Sequence, residues 1–547
     1  MQLQFAADPA LQPAATPAGV RFVYEAAPQA RSVALAGTFN SWVGDACMMQ
    51  RVSPTRWQVT LPIAAGRHLY KFVVDGSAWL RDPANPWVSE DGQNNSCLTV
   101  DESGAVLLRH AGLSAAAPGP LYARPALASP EWLHDAVVYQ LSVKAFGGDF
   151  DGVRAKLGYL AELGVNTLWV MPVQPIGIEG RRGSCGDPYA VRDFLAIDPV
   201  LGDEQGLRAL VDAAHARGMR VMLDWTLNRA SVDNPLTQSH PEWFTRRADG
   251  SIYYAVPNRD YFAGFDFSNA ALRRYLIDAM CGWVGRFGFD GLRFDDSDIT
   301  PLDFLQQIRA ALLRVQPEIA LISQAYDEFH HFASCDLTYE GGTRAILLAC
   351  AQGQASGADL ARYWRESTYS FPRGALRLRW LDEKEQARAS ALLGPALRPA
   401  ATVLFALDGV PHLLMGQEFG EPAWRDWTVL FEDYRLDWDA YDAGLFAHYQ
   451  RLLALRRDHA ALRRGDVVFI EGLPPGVVGF TRGTPGERLL VLANLRRDAA
   501  ALPALAQLPR QRALLAAEGW NAAGATLAAH GWLVCALDQA DSAGQGA

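Results

Sequence analysis

The chain of 547 residues has few cysteines and never pairs them: the seven stand singly at positions 47, 97, 185, 281, 335, 350 and 535, with no C-x-x-C and no metal-ligand spacing. An odd, scattered set fits reduced thiols buried as small residues, and it excludes a disulfide framework. Positive charge is also scarce, with 50 Lys and Arg against 60 Asp and Glu and a formal net charge of −10. Without a long Lys/Arg block, the electrostatic footprint of a nucleic-acid binder is missing, and no nucleic-acid partner is expected. No uninterrupted apolar run reaches membrane length, and the start MQLQFAADPALQPAATPAG has neither a basic opening nor an apolar core before a cleavage site. The expectation is a soluble, unexported, cytoplasmic protein with no membrane partner. Apolar content is ample: half the residues are hydrophobic, so a chain of this length can bury several cores.

Periodicity divides the chain. Residues 20 to 100 alternate in short segments (VRFVYEA, SVALAGTF, RWQVTLPI, HLYKFVVDG), as the strands of a two-faced antiparallel sheet do, so residues 1–101 read as a small β-sandwich. Residues 102–130 turn to Ala, Pro and Gly without apolar periodicity and read as a linker. The pattern then becomes strand, helix, strand: AVVYQLSV, FDGVRAKLGYLAELG, VNTLWVMPV, EQGLRALVDAAHARG, MRVMLDWTL. Alternating units with apolar strands predict a parallel sheet covered by helices. Further strands at FDGLRFD, IALISQA, CDLTYE, LRLRWL and VPHLLMGQ bring the count to the eight of a (β/α)₈ barrel over 131–464, with a short insertion at 226–270. Alternation returns at VVFIEG, VVGFTR, ERLLVLANL and GWLVCAL, which predicts a second antiparallel β-sandwich over 465–538, followed by a disordered tail at 539–547.

Several landmarks recur in a fixed order: MPVQPIG (171 to 177), GDPYAVRDFLAIDPVLG (186 to 202), HPEWF (240 to 244), FDGLRFD (289 to 295), DLTYE (336 to 340) and GVPHLLMGQEFG (409 to 420). In this order they resemble the α-amylase family of glycoside hydrolases. That resemblance implies two carboxylates that cleave an α-glucosidic bond with retention, one as nucleophile and one as protonated acid, with a third gripping the ring hydroxyls. Asp295 matches the nucleophile, and Arg293 matches the arginine that orients it from the same strand face. An Arg/Asp ion pair at a strand end is the purely structural alternative. Tyr189 corresponds to an aromatic that stacks on the sugar, or else is a core tyrosine under the loop. Asp224 and Asn228, in DWTLNR, fall among the substrate-binding positions. Some relatives place a calcium ligand where Asn228 stands, but the sequence offers no metal cluster, and neither a metal nor a cofactor is expected.

The chain departs from the family at four contact positions. Gln324, in LISQAYDEFH, stands where the acid belongs, and an amide has no titratable proton. Glu385 replaces the ring-clamping aspartate, while Arg229 and Lys384 replace two histidines. A general acid contributes ~10²–10⁴-fold in rate, so the expected outcome is a pseudoenzyme that binds α-glucan without hydrolysing it. The alternative is an active retaining α-glycosidase or transglycosylase with Asp295 as nucleophile and an unusual acid. Arg229 and Lys384 are expected to pair with Asp295 and Glu385 and plug the innermost sugar site, or to recruit an anionic sugar. Asp327 and Glu328 read as solvated loop carboxylates.

GTFNSW, HLYKFVVDG, SAWLRDPANP and DGQNNS resemble the glycogen-binding module of starch-branching enzymes and of the AMP-activated kinase. The resemblance implies that Trp42 and Trp79 stack on glucose while Lys71 and Asn94 bind hydroxyls; the alternative is a module kept only to pack on the barrel. The expected partner is therefore an α-glucan or maltooligosaccharide.

Overall fold

The computed structural model describes residues 10–40, 42–85, 95–101, 103–108, 120–247, 249–254, 259–503, 505 and 511–538. At the N-terminal end two antiparallel sheets face each other. One contains Ala14–Thr16, Gly19–Glu25, Arg56–Leu61 and Gln50–Arg51, and the other contains Val33–Gly37, Gly66–Val74, Ser96–Val100, Val106–Leu107 and Ala78–Leu80. Alternation puts Phe22, Leu35, Trp57, Tyr70 and Phe72 into the space between them. The second sheet continues to Leu107, past the boundary expected at 101, because Val106 pairs with Val100 across a turn that Asp101 holds by accepting from the Ser103 and Ala105 amides. The expected disordered tail, 539–547, lies outside the described residues, as do residues 102 and 109–119 of the expected linker.

The central unit is a closed parallel barrel of eight strands: Val138–Leu141, Thr167–Val170, Arg220–Thr226, Gly291–Asp295, Ala320–Ser323, Leu337–Glu340, Leu376–Trp380 and Val410–Leu414. Closure is explicit, since Val138 pairs with His412. Nearly every strand residue is buried, as expected for strands with a packed interior and helices outside. Helices start at side-chain caps: Asp203 accepts from the Gly206 amide ahead of Glu204–His215, and Asn269 caps Ala270–Phe287. The segment read as one helix over FDGVRAKLGYLAELG breaks at Lys156 into Phe150–Ala155 and Leu157–Leu163. Residues 389–406 are apolar and long enough to cross a membrane, yet 67% of that stretch is buried inside the fold.

Register places the chemistry. Asp224 on the third strand lies beside Arg293 on the fourth, Thr226 lies beside Asp295, and Phe294 lies beside Ser323 on the fifth. Leu292 and Phe294 therefore face the covering helices, while Arg293 and Asp295 share the opposite direction. Asp295 ends its strand, and Gln324 follows Ser323 directly. At the C-terminal end, six strands form one hydrogen-bonded antiparallel sheet, with Thr526–Leu537 between Glu487–Asn494 and Gln511–Asn521.

Candidate active site

Arg293 is the hub of the barrel mouth. Fully buried, it donates from Nη1 to Asp295 Oδ1 at 2.5 Å and to Asp224 Oδ1 at 2.9 Å, and from Nη2 to Gln324 Oε1 and to Tyr339 Oη at 3.0 Å. The remaining oxygen of Asp224 accepts from Trp169 Nε1 at 3.0 Å and Tyr189 Oη at 2.8 Å. Burial raises the Asp224 pKa, against the opposing pull of Arg293. Asp224 thus anchors Arg293 and Tyr189 and has no oxygen turned toward a ligand.

Arg229 and Lys384 close on Asp295, the residue expected as nucleophile. Arg229 donates from Nη2 to Asp295 Oδ2, and from Nη1 to Asp296 Oδ2 at 2.7 Å and Asn228 Oδ1 at 2.8 Å, with its guanidinium 4.4 Å from the Phe262 ring centre. Lys384 Nζ lies 2.9 Å from Glu385 Oε1 and 3.6 Å from Asp295 Oδ1. Burial alone would raise the Asp295 pKa, but Lys384, Arg229 and Arg293 outweigh it and hold the carboxyl well below its usual range. The same Lys384 ammonium sits 4.5 Å from the Tyr189 ring centre, so a cation occupies space over the ring expected to stack on sugar.

Gln324 bridges the remaining groups. Its Oε1 also accepts from the Asp296 amide at 3.1 Å, and its Nε2 donates to Glu385 Oε1 at 3.1 Å. Glu385 keeps 45% of its side chain exposed, at the pocket edge; burial would raise its pKa, but Lys384 lowers it. Asn228, which stands where some relatives place a calcium ligand, accepts from Arg229 through Oδ1 and donates from Nδ2 to the Asp296 carbonyl at 3.0 Å. Among the described residues, no three His, Cys, Asp or Glu side chains converge as metal ligands.

Glu328 departs from its expected role as a solvated loop carboxylate, since it is buried, while Asp327 is half-buried with its pKa pushed to about 7 by burial and Glu328. The loop after the fifth strand lies against the barrel: Tyr326 packs on its interior cluster, and the Ala325 carbonyl accepts from the Tyr339 amide at 2.9 Å. Asp296 and Glu383 were not singled out by sequence, although both adjoin positions that were. Asp296 takes a left-handed backbone (φ 46°), and its side chain, 33% exposed, shares Arg229 with Asp295. Its pKa is raised by burial and then by Asp295. Glu383 is buried, and burial followed by Glu385 pushes it to about 7. The GLRFDD and DEKE clusters of acidic residues were the available signals.

These groups line a cavity of about 320 Å³, whose wall includes Tyr189, Arg229, Asp295, Asp296, Lys384 and Glu385, with Trp427 and Arg259 beside them. The N-terminal module completes the wall with Trp42, Lys71, Trp79 and Asn95. Asn94, expected to bind hydroxyls, lies outside the described residues.

Comparison with known proteins agrees with this arrangement. The α-amylase catalytic domain matches residues 101–266, and the glycogen recognition site of AMP-activated protein kinase matches residues 19–106. The α-amylase MalA of Haloarcula japonica is 28% identical over 390 residues, covering 67% of this chain and 56% of that protein, so the match spans little more than half of that relative. A cyclomaltodextrinase of Geobacillus thermopakistaniensis is 24% identical over 438 residues, covering 69% of this chain and 71% of the relative. Among solved structures, the maltogenic α-amylase AmyB of Thermotoga neapolitana superimposes with a TM-score of 0.65 at 27% identity, over 74% of this chain and 99% of that one. A cyclomaltodextrinase structure covers 96% of this chain with a TM-score of 0.65, and at 20% identity shows the fold alone. A closed parallel barrel with Arg293 and Asp295 at the end of its fourth strand, a match to the α-amylase catalytic domain over residues 101–266 and a match to a glycogen recognition site ahead of it make this chain similar to the α-amylase family of glycoside hydrolases.

Proposed function

We propose that the protein binds α-glucan chains at the mouth of its barrel and transfers or hydrolyses a glucosyl unit with retention, Asp295 acting as nucleophile. The observation that carries this reading is the Asp295 carboxyl itself: it is held ionised by three cations at the end of the fourth strand and lines a pocket that contains a second, differently titrating carboxyl. The names of the relatives, α-amylase and cyclomaltodextrinase, support an active enzyme over a loss of activity.

Gln324 has no proton to give, so we assign that role to Asp296. It faces the same pocket, is bridged to Asp295 by one guanidinium, and has its pKa raised while that of Asp295 is lowered. A pair of carboxyls driven apart in this way suits the nucleophile and the acid of a retaining site. Asp295 forms a bond to the anomeric carbon as the glycosidic bond breaks, and the Asp296 proton passes to the departing oxygen. Water, deprotonated by Asp296, then releases the sugar from Asp295.

A second reading, binding without cleavage, is favoured by one observation: both Asp295 oxygens already accept from cations, and Arg229 must yield Oδ2 before attack. Product analysis with maltoheptaose decides between the two. Turnover abolished by Asp295→Ala is the expected result; wild-type turnover no greater than that of Asp295→Ala, with binding retained, establishes the binding protein instead.

A further inference from the structure

The face of the N-terminal module that carries its two tryptophans is turned toward the barrel. Tyr253, in the insertion after the third strand, donates from Oη to the Trp42 carbonyl at 2.9 Å. Arg67 of the module donates to the Tyr326 carbonyl at 3.1 Å, two residues beyond Gln324. Ile299, four residues beyond Asp295, packs into the small apolar cluster that contains Trp42 and Trp79. Three separate barrel loops thus hold the module, and two of them also carry Asp295 and Gln324.

Both tryptophans are largely covered in this docked arrangement. Trp42 is 9% exposed, and its ring centre lies 6.4 Å from that of Trp79 at an interplanar angle of 38°. Its backbone sits in the left-handed region (φ 60°), which a bulky residue adopts only when its surroundings enforce it, and such outliers gather at binding sites. Gly44 lets the chain lie against Trp79, since a Cβ there would come within 2.9 Å of the Trp79 ring. What remains open of both rings lines the same cavity as Asp295 and Glu385.

We propose that the tryptophans of the module and the barrel pocket are a single saccharide site, in which one α-glucan end rests a sugar against Trp79 and Trp42 while the following unit reaches Glu385 and Asp295. The module is then a wall of the reaction pocket within one chain and no independent docking surface for polysaccharide. Aromatic faces beside Lys71 give a sugar both its apolar and its hydrogen-bonding contacts. A cavity of about 320 Å³ stands at the lower limit of ligand pockets, roughly 300–1,000 Å³, so the occupant is a short oligosaccharide or a chain end. This proposal rests on the α-glucan reading above, but not on turnover.

Calorimetric titration of the full chain with maltotriose tests it. One binding event per chain is expected, weakened about tenfold or more by Trp79→Ala, an effect equivalent to about 1.4 kcal/mol. The same event is expected to weaken with Glu385→Ala. Trp79→Tyr, which keeps an aromatic face, should retain most of the affinity, and an unchanged melting temperature for Trp79→Ala separates lost stacking from lost folding. Two independent maltotriose sites, or a single site sensitive to only one of the two alanine substitutions, would overturn the shared pocket and leave the α-glucan reading standing. A wild-type chain that binds no maltotriose would overturn both.

Discussion

Arg229 and Asp295 form an ion pair in which each side chain is only 3% exposed. Such a pair adds little net stability when complete, because desolvating both charges offsets most of their attraction, yet removing one partner strands the other. Arg229 also holds Asp296 at 2.7 Å, so its removal takes a cation from the Asp295 carboxylate and a donor from the Asp296 carboxyl.

Arg229→Ala is therefore expected to destabilise the protein by ~3–5 kcal/mol, measured by urea unfolding. Combining it with Asp295→Ala should recover part of that loss, since the deeper carboxylate is then gone. If Arg229 is instead kept to receive an anionic sugar, the single substitution will leave the urea midpoint in place and abolish stabilisation by that ligand.

Glu383 gives a pH dependence of definite sign. Its folded pKa is about 7 against an ordinary 4.5, so at pH 5 to 6 the folded chain keeps a proton that the unfolded chain has released. Its contribution to stability therefore falls as pH rises from about 4.5 to about 7, by up to about 1.4 kcal/mol per unit, and is constant above. Glu383→Gln keeps an acceptor for the Glu385 amide, which now donates to Glu383 Oε2 at 2.8 Å, and removes the titration. Its melting temperature relative to wild type should rise between pH 5 and pH 8; a pH-independent difference would show that Glu383 titrates normally.

Much of this was legible in the sequence, for identifiable reasons. Strand alternation at GLRFD fixed Arg293 and Asp295 on one face, and two cations in place of histidines, near two carboxylates, led to the ion pairs Arg229–Asp295 and Lys384–Glu385. What periodicity cannot carry is the path of loops past strand ends. Asp296 enters the pocket because one residue in a left-handed conformation redirects the chain after the fourth strand. Glu328 is buried within the loop that follows the fifth strand. The contact of Trp42 with Tyr253 joins residues 211 positions apart in different domains, and neither local pattern encodes it.

Gln324→Glu will not by itself produce a normal acid. The new carboxyl would face Glu385 Oε1 where the Gln324 amide now donates, which favours the protonated form, but it would inherit on its other oxygen both the Arg293 guanidinium and the Asp296 amide, which favour the ionised form. The variant should gain less than tenfold in kcat/KM on maltoheptaose, below the ~10²–10⁴-fold that a working acid supplies. A gain in that higher range would show that the loss of the glutamate is the only defect of the site.

The assignment of Asp296 as proton donor is tested by a substrate that needs no proton. In an α-maltosyl fluoride the leaving group departs as fluoride, so general-acid help is superfluous while attack by Asp295 is still required. Asp296→Asn keeps the size of the side chain and an oxygen to accept from Arg229, which now lies 2.7 Å from Asp296 Oδ2. It should lower kcat on maltoheptaose by ~10²-fold or more and leave release of fluoride from the activated substrate within a few-fold of wild type, whereas Asp295→Ala should abolish both. Equal losses on the two substrates would mean that Asp296 supports the position of Arg229 and Asp295 instead of donating a proton. Unchanged turnover of maltoheptaose would remove Asp296 from the mechanism and return the search to Glu383, the other carboxyl beside Glu385 whose pKa is raised.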